Sequence, residues 1–94
     1  MPMKVTFRYT SQLATAAGSS VEIVETESGS ALIGLLRDLA AKHGLDFAKF
    51  VVDEDGNVVP TLIVAVNGSQ VSIEELVSLD SDAEVMLITP MSGG

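Results

Sequence analysis

The residues with the most distinctive chemistry in this sequence are its last ones, Ile88-Thr89-Pro90-Met91-Ser92-Gly93-Gly94. Neither glycine carries a Cβ, so the pair reaches backbone angles closed to other residues and fits a channel too narrow for a side chain. Such an ending offers the terminal α-carboxylate as the reactive group. Gly94 is then the reacting site, and Pro90, Met91, Ser92 and Gly93 form the tail that enters a partner's active site. Pro90 has no N–H to give to a sheet ladder and marks where a last strand would release that tail.

An α-carboxylate has a pKa near ~3.5, is ionised at neutral pH and is a poor electrophile, so it needs a leaving group before it can react. The chain has no means of supplying one, because no G-x-x-x-x-G-K-[ST] loop is present and its glycines stand at turns. Any ATP must be bound by a partner. The absence of cysteine excludes disulfides, thiolate metal sites and a cysteine nucleophile, so sulfur chemistry would have to use another atom. The one histidine, His43, has no G-x-S-x-G or second histidine to work with, and its place at a helix end suits a protonated imidazole against the helix dipole. Asp53, Asp55 and Asn57 are spaced like the start of a calcium loop, but Val58 stands at the glycine position and Val64 at the bidentate glutamate. The segment reads as a solvated acidic turn, and no metal is expected.

Thirteen acidic residues against five basic ones give a net charge of -8, which repels phosphate backbones and anionic lipid. Neither nucleic acid nor a membrane is expected as a partner. All five cations, Lys4, Arg8, Arg37, Lys42 and Lys49, precede Phe50, leaving the half that carries the tail purely acidic. Two readings stand: solubility, or steering of the tail toward a basic partner. No basic-apolar-small leader and no apolar run near the ~20 residues of a bilayer span is present, and a cysteine-free chain fits a reducing cytoplasm.

The elements that must position the tail follow from periodicity. Val5 and Phe7 alternate with Thr6 and Arg8 in a strand over 3–10, and Val21, Ile23, Glu22 and Glu25 repeat the alternation after a Gly18-Ser19-Ser20 turn. The connection from Ser11 to Ser20 would hold a loop with Leu13 packed inward. Leu32, Leu35, Leu36 and Leu39 recur at helical spacing between Ser30 and His43, with Ser28 or Ser30 as cap and Gly44 as stop. Gly34, inside that helix, suggests a close helix-to-sheet approach. A turn at Asp53–Asn57, a strand over Val58–Val66, a second turn at Asn67-Gly68, a short helix from a capping box at Ser72-Ile73-Glu74-Glu75 and a strand over Glu84–Thr89 complete the plan.

One amphipathic helix must lay its apolar stripe on a sheet. The expected fold is therefore α+β, a mixed sheet of four to five strands wrapped over one main helix, in the element order of the β-grasp (ubiquitin-like) fold. Residues 1–94 are expected to form one domain, with 90–94 as its exposed functional tail.

Taken together, Lys4-Val5-x-Phe7, Gln12-Leu13-Ala14, Ala17-Gly18, Leu35-Leu36-x-x-Leu39-Ala40, Val64-Ala65-Val66-Asn67-Gly68, Glu84-Val85 and Pro90-Met91-Ser92-Gly93-Gly94 resemble the MoaD/ThiS family of ubiquitin-like sulfur carriers over nearly the full length, most specifically in the last block. The resemblance implies that an E1-like adenylating enzyme uses ATP and Mg to convert the terminal glycine to an acyl-adenylate. A persulfide sulfur donor then yields a thiocarboxylate on Gly94. The large subunit of molybdopterin synthase, or another sulfur-accepting enzyme, takes the sulfur from it. It also implies a non-catalytic subunit that binds no cofactor itself. Supply for cysteine, thiamin, tRNA or another thio-metabolite stays open, and so does isopeptide conjugation of Gly94 to protein lysines. Ordering Met91 to Gly94 costs ~1–2 kcal/mol of backbone entropy per residue, so docking must also use the folded body. Family members do this through an apolar patch on the sheet. By motif, Arg8, Gln70 and Ile88 fall there, the first two departing from the usual large apolar residues. Met86 either joins Ile88 in an apolar strip or lies covered with it.

Overall fold

The structure, a computed structural model, describes residues 1–72 and 77–89. The chain runs β1 (Pro2–Tyr9), α1 (Ser11–Ala17), β2 (Val21–Glu27), β3 (Ser30–Ala31), α2 (Leu32–His43), α3 (Leu45–Ala48), β4 (Ile63–Val66), β5 (Ser69–Val71), β6 (Ser78–Leu79) and β7 (Ala83–Ile88). Five strands form a mixed sheet in the order β2-β1-β7-β4-β5, while β3 and β6 pair separately. β7 lies parallel to β1 and antiparallel to β4, which puts the last strand beside the first at the sheet centre, as the β-grasp order requires.

The inner face of this sheet carries Met3, Val5, Phe7, Val64, Val85 and Leu87, all buried in one cluster with Leu32, Leu35, Leu36 and Leu39 of α2. Burying each leucine contributes about 1.5–3 kcal/mol, far above the ~1 kcal/mol of a missing cap. That comparison matters, because α2 has no side-chain cap. Ala31 occupies the capping position, and the Ser30 hydroxyl is turned to the Glu27 carbonyl at 2.6 Å and Thr26 Oγ1 at 3.0 Å. The expected serine cap is therefore replaced by backbone: the Leu32 N–H donates to the Val77 carbonyl at 2.9 Å. Gly44 ends α2 at φ 86°, and its N–H donates to the Ala40 carbonyl at 3.1 Å.

Other differences from the sequence expectation have local causes. The segment after β1 is the helix α1 rather than a loop, though Leu13 does point inward, fully buried. The strand expected over Val58–Val66 shortens to Ile63–Val66, because Pro60 cannot donate and a turn follows it; Val58 makes one bridge with Val52. Asp53 Oδ1 accepts from the Asp55 and Asn57 N–H groups at 2.9 and 3.0 Å, which accounts for the acidic turn by local bonding. Among the described residues no group of three His, Asp or Glu could hold a metal ion, and no helix is long and apolar enough to cross a membrane. Asn67 and Gly68 both adopt positive φ, 50° and 86°, and close the β4–β5 hairpin. The capping box from Ile73 to Glu75 lies outside the described residues.

The alternation of β2 has the opposite sense from its most apolar reading. Val21 and Ile23 point outward, 37% and 61% exposed, while Glu22 and Val24 face inward. Glu22 is tolerated there because three donors converge on it. The Tyr9 hydroxyl donates to its Oε1 at 2.7 Å, His43 Nε2 lies 2.6 Å from the same oxygen, and the Lys42 ammonium pairs with Oε2. His43 also packs on Phe47, with ring centroids 4.8 Å apart. The imidazole thus joins the end of α2 to the sheet, a partnership that its isolation in sequence concealed.

Burial alone would raise the Glu22 carboxyl, but hydrogen bonds from Lys42, Tyr9 and His43 outweigh it and hold the group at about 2, against an ordinary 4.5. Burial, then the Glu22 hydrogen bond and charge, keep the Tyr9 phenol protonated. Since the folded value lies below the unfolded one, the network's stabilisation is complete above pH 4.5 and is lost as the pH falls toward 2. Acid titration of the unfolding free energy is expected to show that loss in the native chain and a flatter profile in Glu22→Gln. A Cβ at Gly34 meets nothing within 4 Å, so the close approach expected there is absent. Gly34→Ala should therefore raise the unfolding free energy by about 1 kcal/mol in urea titration.

Candidate functional site

β7 delivers the chain to Thr89, and its position is fixed on both sides. Val85 and Leu87 insert into the core, and the Thr10 hydroxyl donates to the Leu87 carbonyl at 3.2 Å. Thr89 is itself buried, and its hydroxyl has no partner among the described residues. The tail residues Pro90, Met91, Ser92, Gly93 and Gly94 follow and lie outside the described residues.

Alternate residues of the same strands face away from the core. Arg8 of β1 stands opposite Met86 of β7, Met86 opposite Ala65 of β4, and Ala65 opposite Gln70 of β5. Three residues picked from separate parts of the sequence, Arg8, Met86 and Gln70, therefore share one cross-strand row. Val21 continues that row on β2. Two residues further along β7, Ile88 pairs with Ile63. Two residues of strand span ~7 Å, so this second pair sits one step closer to the tail. Met86 and Ile88 are half-buried and Ile63 is 38% exposed, which leaves an apolar strip open beside the point where the chain leaves the sheet.

Arg8 lies in this face as part of an ion pair. Its Nε is 3.0 Å from Glu84 Oε2, with the two side chains 46% and 49% exposed. The sequence pattern did not place Ile63, Val21, Ile23 or Glu84 on this outer face. Ile63 was hidden in a longer apolar run, and the β2 pair was masked by apolar residues on both of that strand's faces. The alternation of β7 did carry the signal for Met86 and Ile88.

The arrangement presents a partly apolar face beside the end of β7. The ThiS family model matches residues 7–94. No curated protein matches the sequence at a significant level. Among solved structures, SAMP1 of Haloferax volcanii is similar at 24% identity and a TM-score of 0.80, covering 97% of this chain and 99% of its own. A protein of Pyrococcus furiosus described as molybdopterin converting factor, subunit 1, is 26% identical at a TM-score of 0.70, with 95% and 99% covered. A ubiquitin of Caldiarchaeum subterraneum shares the fold at 17% identity and a TM-score of 0.54, with both chains covered completely. The chain belongs to the ThiS family, whose members are small ubiquitin-fold sulfur carriers or modifiers that work with an E1-like enzyme and a further partner.

Proposed function

We propose that this protein carries sulfur as a thiocarboxylate on Gly94, most concretely for molybdopterin synthesis. The observation that carries the reading is the central position of β7 in a ThiS-family domain, with an apolar strip beside its end, together with the Pro-Met-Ser-Gly-Gly sequence that follows Thr89. The likeness to a molybdopterin converting factor subunit supports the pathway.

The chemistry follows from the carboxylate's poor electrophilicity. A carboxylate oxygen of Gly94 attacks the α-phosphorus of ATP in the E1-like enzyme, and pyrophosphate leaves. The terminal sulfur of a persulfide then attacks the Gly94 carbonyl carbon and displaces AMP. A second thiol of the donor system cleaves the resulting acyl S–S bond, leaving the thiocarboxylate on Gly94 and a disulfide on the donor. ATP and Mg belong to the partner, and the carrier contributes position. Its outer face docks through Arg8, Gln70, Met86 and Ile88. Five residues of chain extend at most ~18 Å, so a reaction centre that takes Gly94 must lie within that distance of Thr89.

A second reading is protein modification through Gly94, favoured by the likeness to SAMP1. Both uses pass through the adenylate, and they separate at the product. Co-expression with the E1-like enzyme and sulfur donor of the same organism, followed by intact mass, is expected to show a gain of about 16 Da that disappears when Gly94 is removed. Gly94-dependent adducts of high mass on native proteins, without that gain, would establish the modifier instead. Full activity after deletion of Gly93-Gly94 would sink both.

A further inference from the structure

The outer face of the sheet is not uniformly apolar. Val21 and Ile23 lie on one side of Arg8, and Met86, Ile88 and Ile63 on the other, so the Arg8–Glu84 pair sits between two apolar patches. A partner that covers both patches must cover the pair as well. We infer that Arg8 selects the docking partner: it fits a surface that sets a single carboxylate between two apolar contacts, and it rejects a groove that is apolar throughout.

This inference rests on the docking role given to the face in the carrier reading. Arg8 presents five N–H donors in a planar fork, and its ion pair with Glu84 is made at Nε. Half-exposed, the pair with Glu84 contributes little, because water serves both groups nearly as well. Under a partner that water is lost. An apolar wall would leave the terminal N–H groups without acceptors, which is costly, whereas a carboxylate takes two of them in parallel. Lysine cannot reproduce the paired geometry. A partner cation aimed at Glu84 would meet repulsion from Arg8 and leave the fork unmatched. The net charge of -8 disfavours a broadly acidic partner, so the carboxylate must be isolated within a neutral or basic surface. Discrimination then arises as a difference between two affinities, one with the acceptor and one without.

The test uses the full chain and the E1-like enzyme of the same organism, with carrier-dependent ATP–pyrophosphate exchange as readout. Arg8→Leu is expected to raise KM by ~10-fold or more with kcat retained, and Arg8→Lys to fall between. Glu84→Gln, which frees the fork and removes a charge that repels the partner carboxylate, should lower KM. Urea midpoints of all three should match the native chain, so that a KM change reports docking. An unchanged or lowered KM for Arg8→Leu would overturn the inference in favour of a plain apolar contact. Equal increases for Arg8→Leu and Glu84→Gln would overturn it in favour of an internal brace. The carrier reading is judged separately, by whether removal of Gly94 abolishes exchange whatever residue stands at position 8.

Discussion

The insertion of β7 between β1 and β4 is the constraint on which the rest of the structure depends. It buries Val85 and Leu87 against the stripe of α2, supplies hydrogen-bond partners to the inner edges of two hairpins, and fixes the base of the tail. A slip of one residue in its register would expose both core side chains and turn Met86 and Ile88 inward, destroying core and outer face together. The row from Arg8 to Gln70 exists only because three strand pairings agree at that level of the sheet.

Much of this was legible in the sequence where one physical effect dominated. The four leucines of α2 repeat at a single period, and each is buried; the alternation of β1 and β7 assigns their faces correctly; Asn67-Gly68 forms the turn its residue types favour. The misread places are those where two effects compete. In β2, apolar residues at 21, 23 and 24 occupy both faces, and the sense of the strand is decided by Glu22, whose burial is favourable only because Tyr9, Lys42 and His43 come from elsewhere to meet it. No local pattern encodes that convergence. The start of α2 was misjudged for a related reason, since the carbonyl of Val77 does the work expected of a serine hydroxyl.

For the candidate site, the sequence named residues but could not show how they are arranged. Arg8 is dozens of residues from Gln70 and Met86 in the chain, and the three line up through cross-strand register, a long-range property. Glu84 and Ile63 were missed because each acquires its significance from a neighbour on another strand. The resulting division of labour is simple. One face of the sheet holds the body together through apolar burial, with a polar clasp at Glu22, and the other carries the outward row from Arg8 to Gln70.

The parallel pairing of β1 with β7 also joins the start of the chain to a segment synthesised after every other strand of the sheet. Until that segment leaves the ribosome, β1-β2 and β4-β5 have only helices in common and the sheet has a gap at its middle. A chain lacking that segment therefore has no aligned row from Arg8 to Gln70. The core face and the outer row are therefore completed together and late, by one and the same strand.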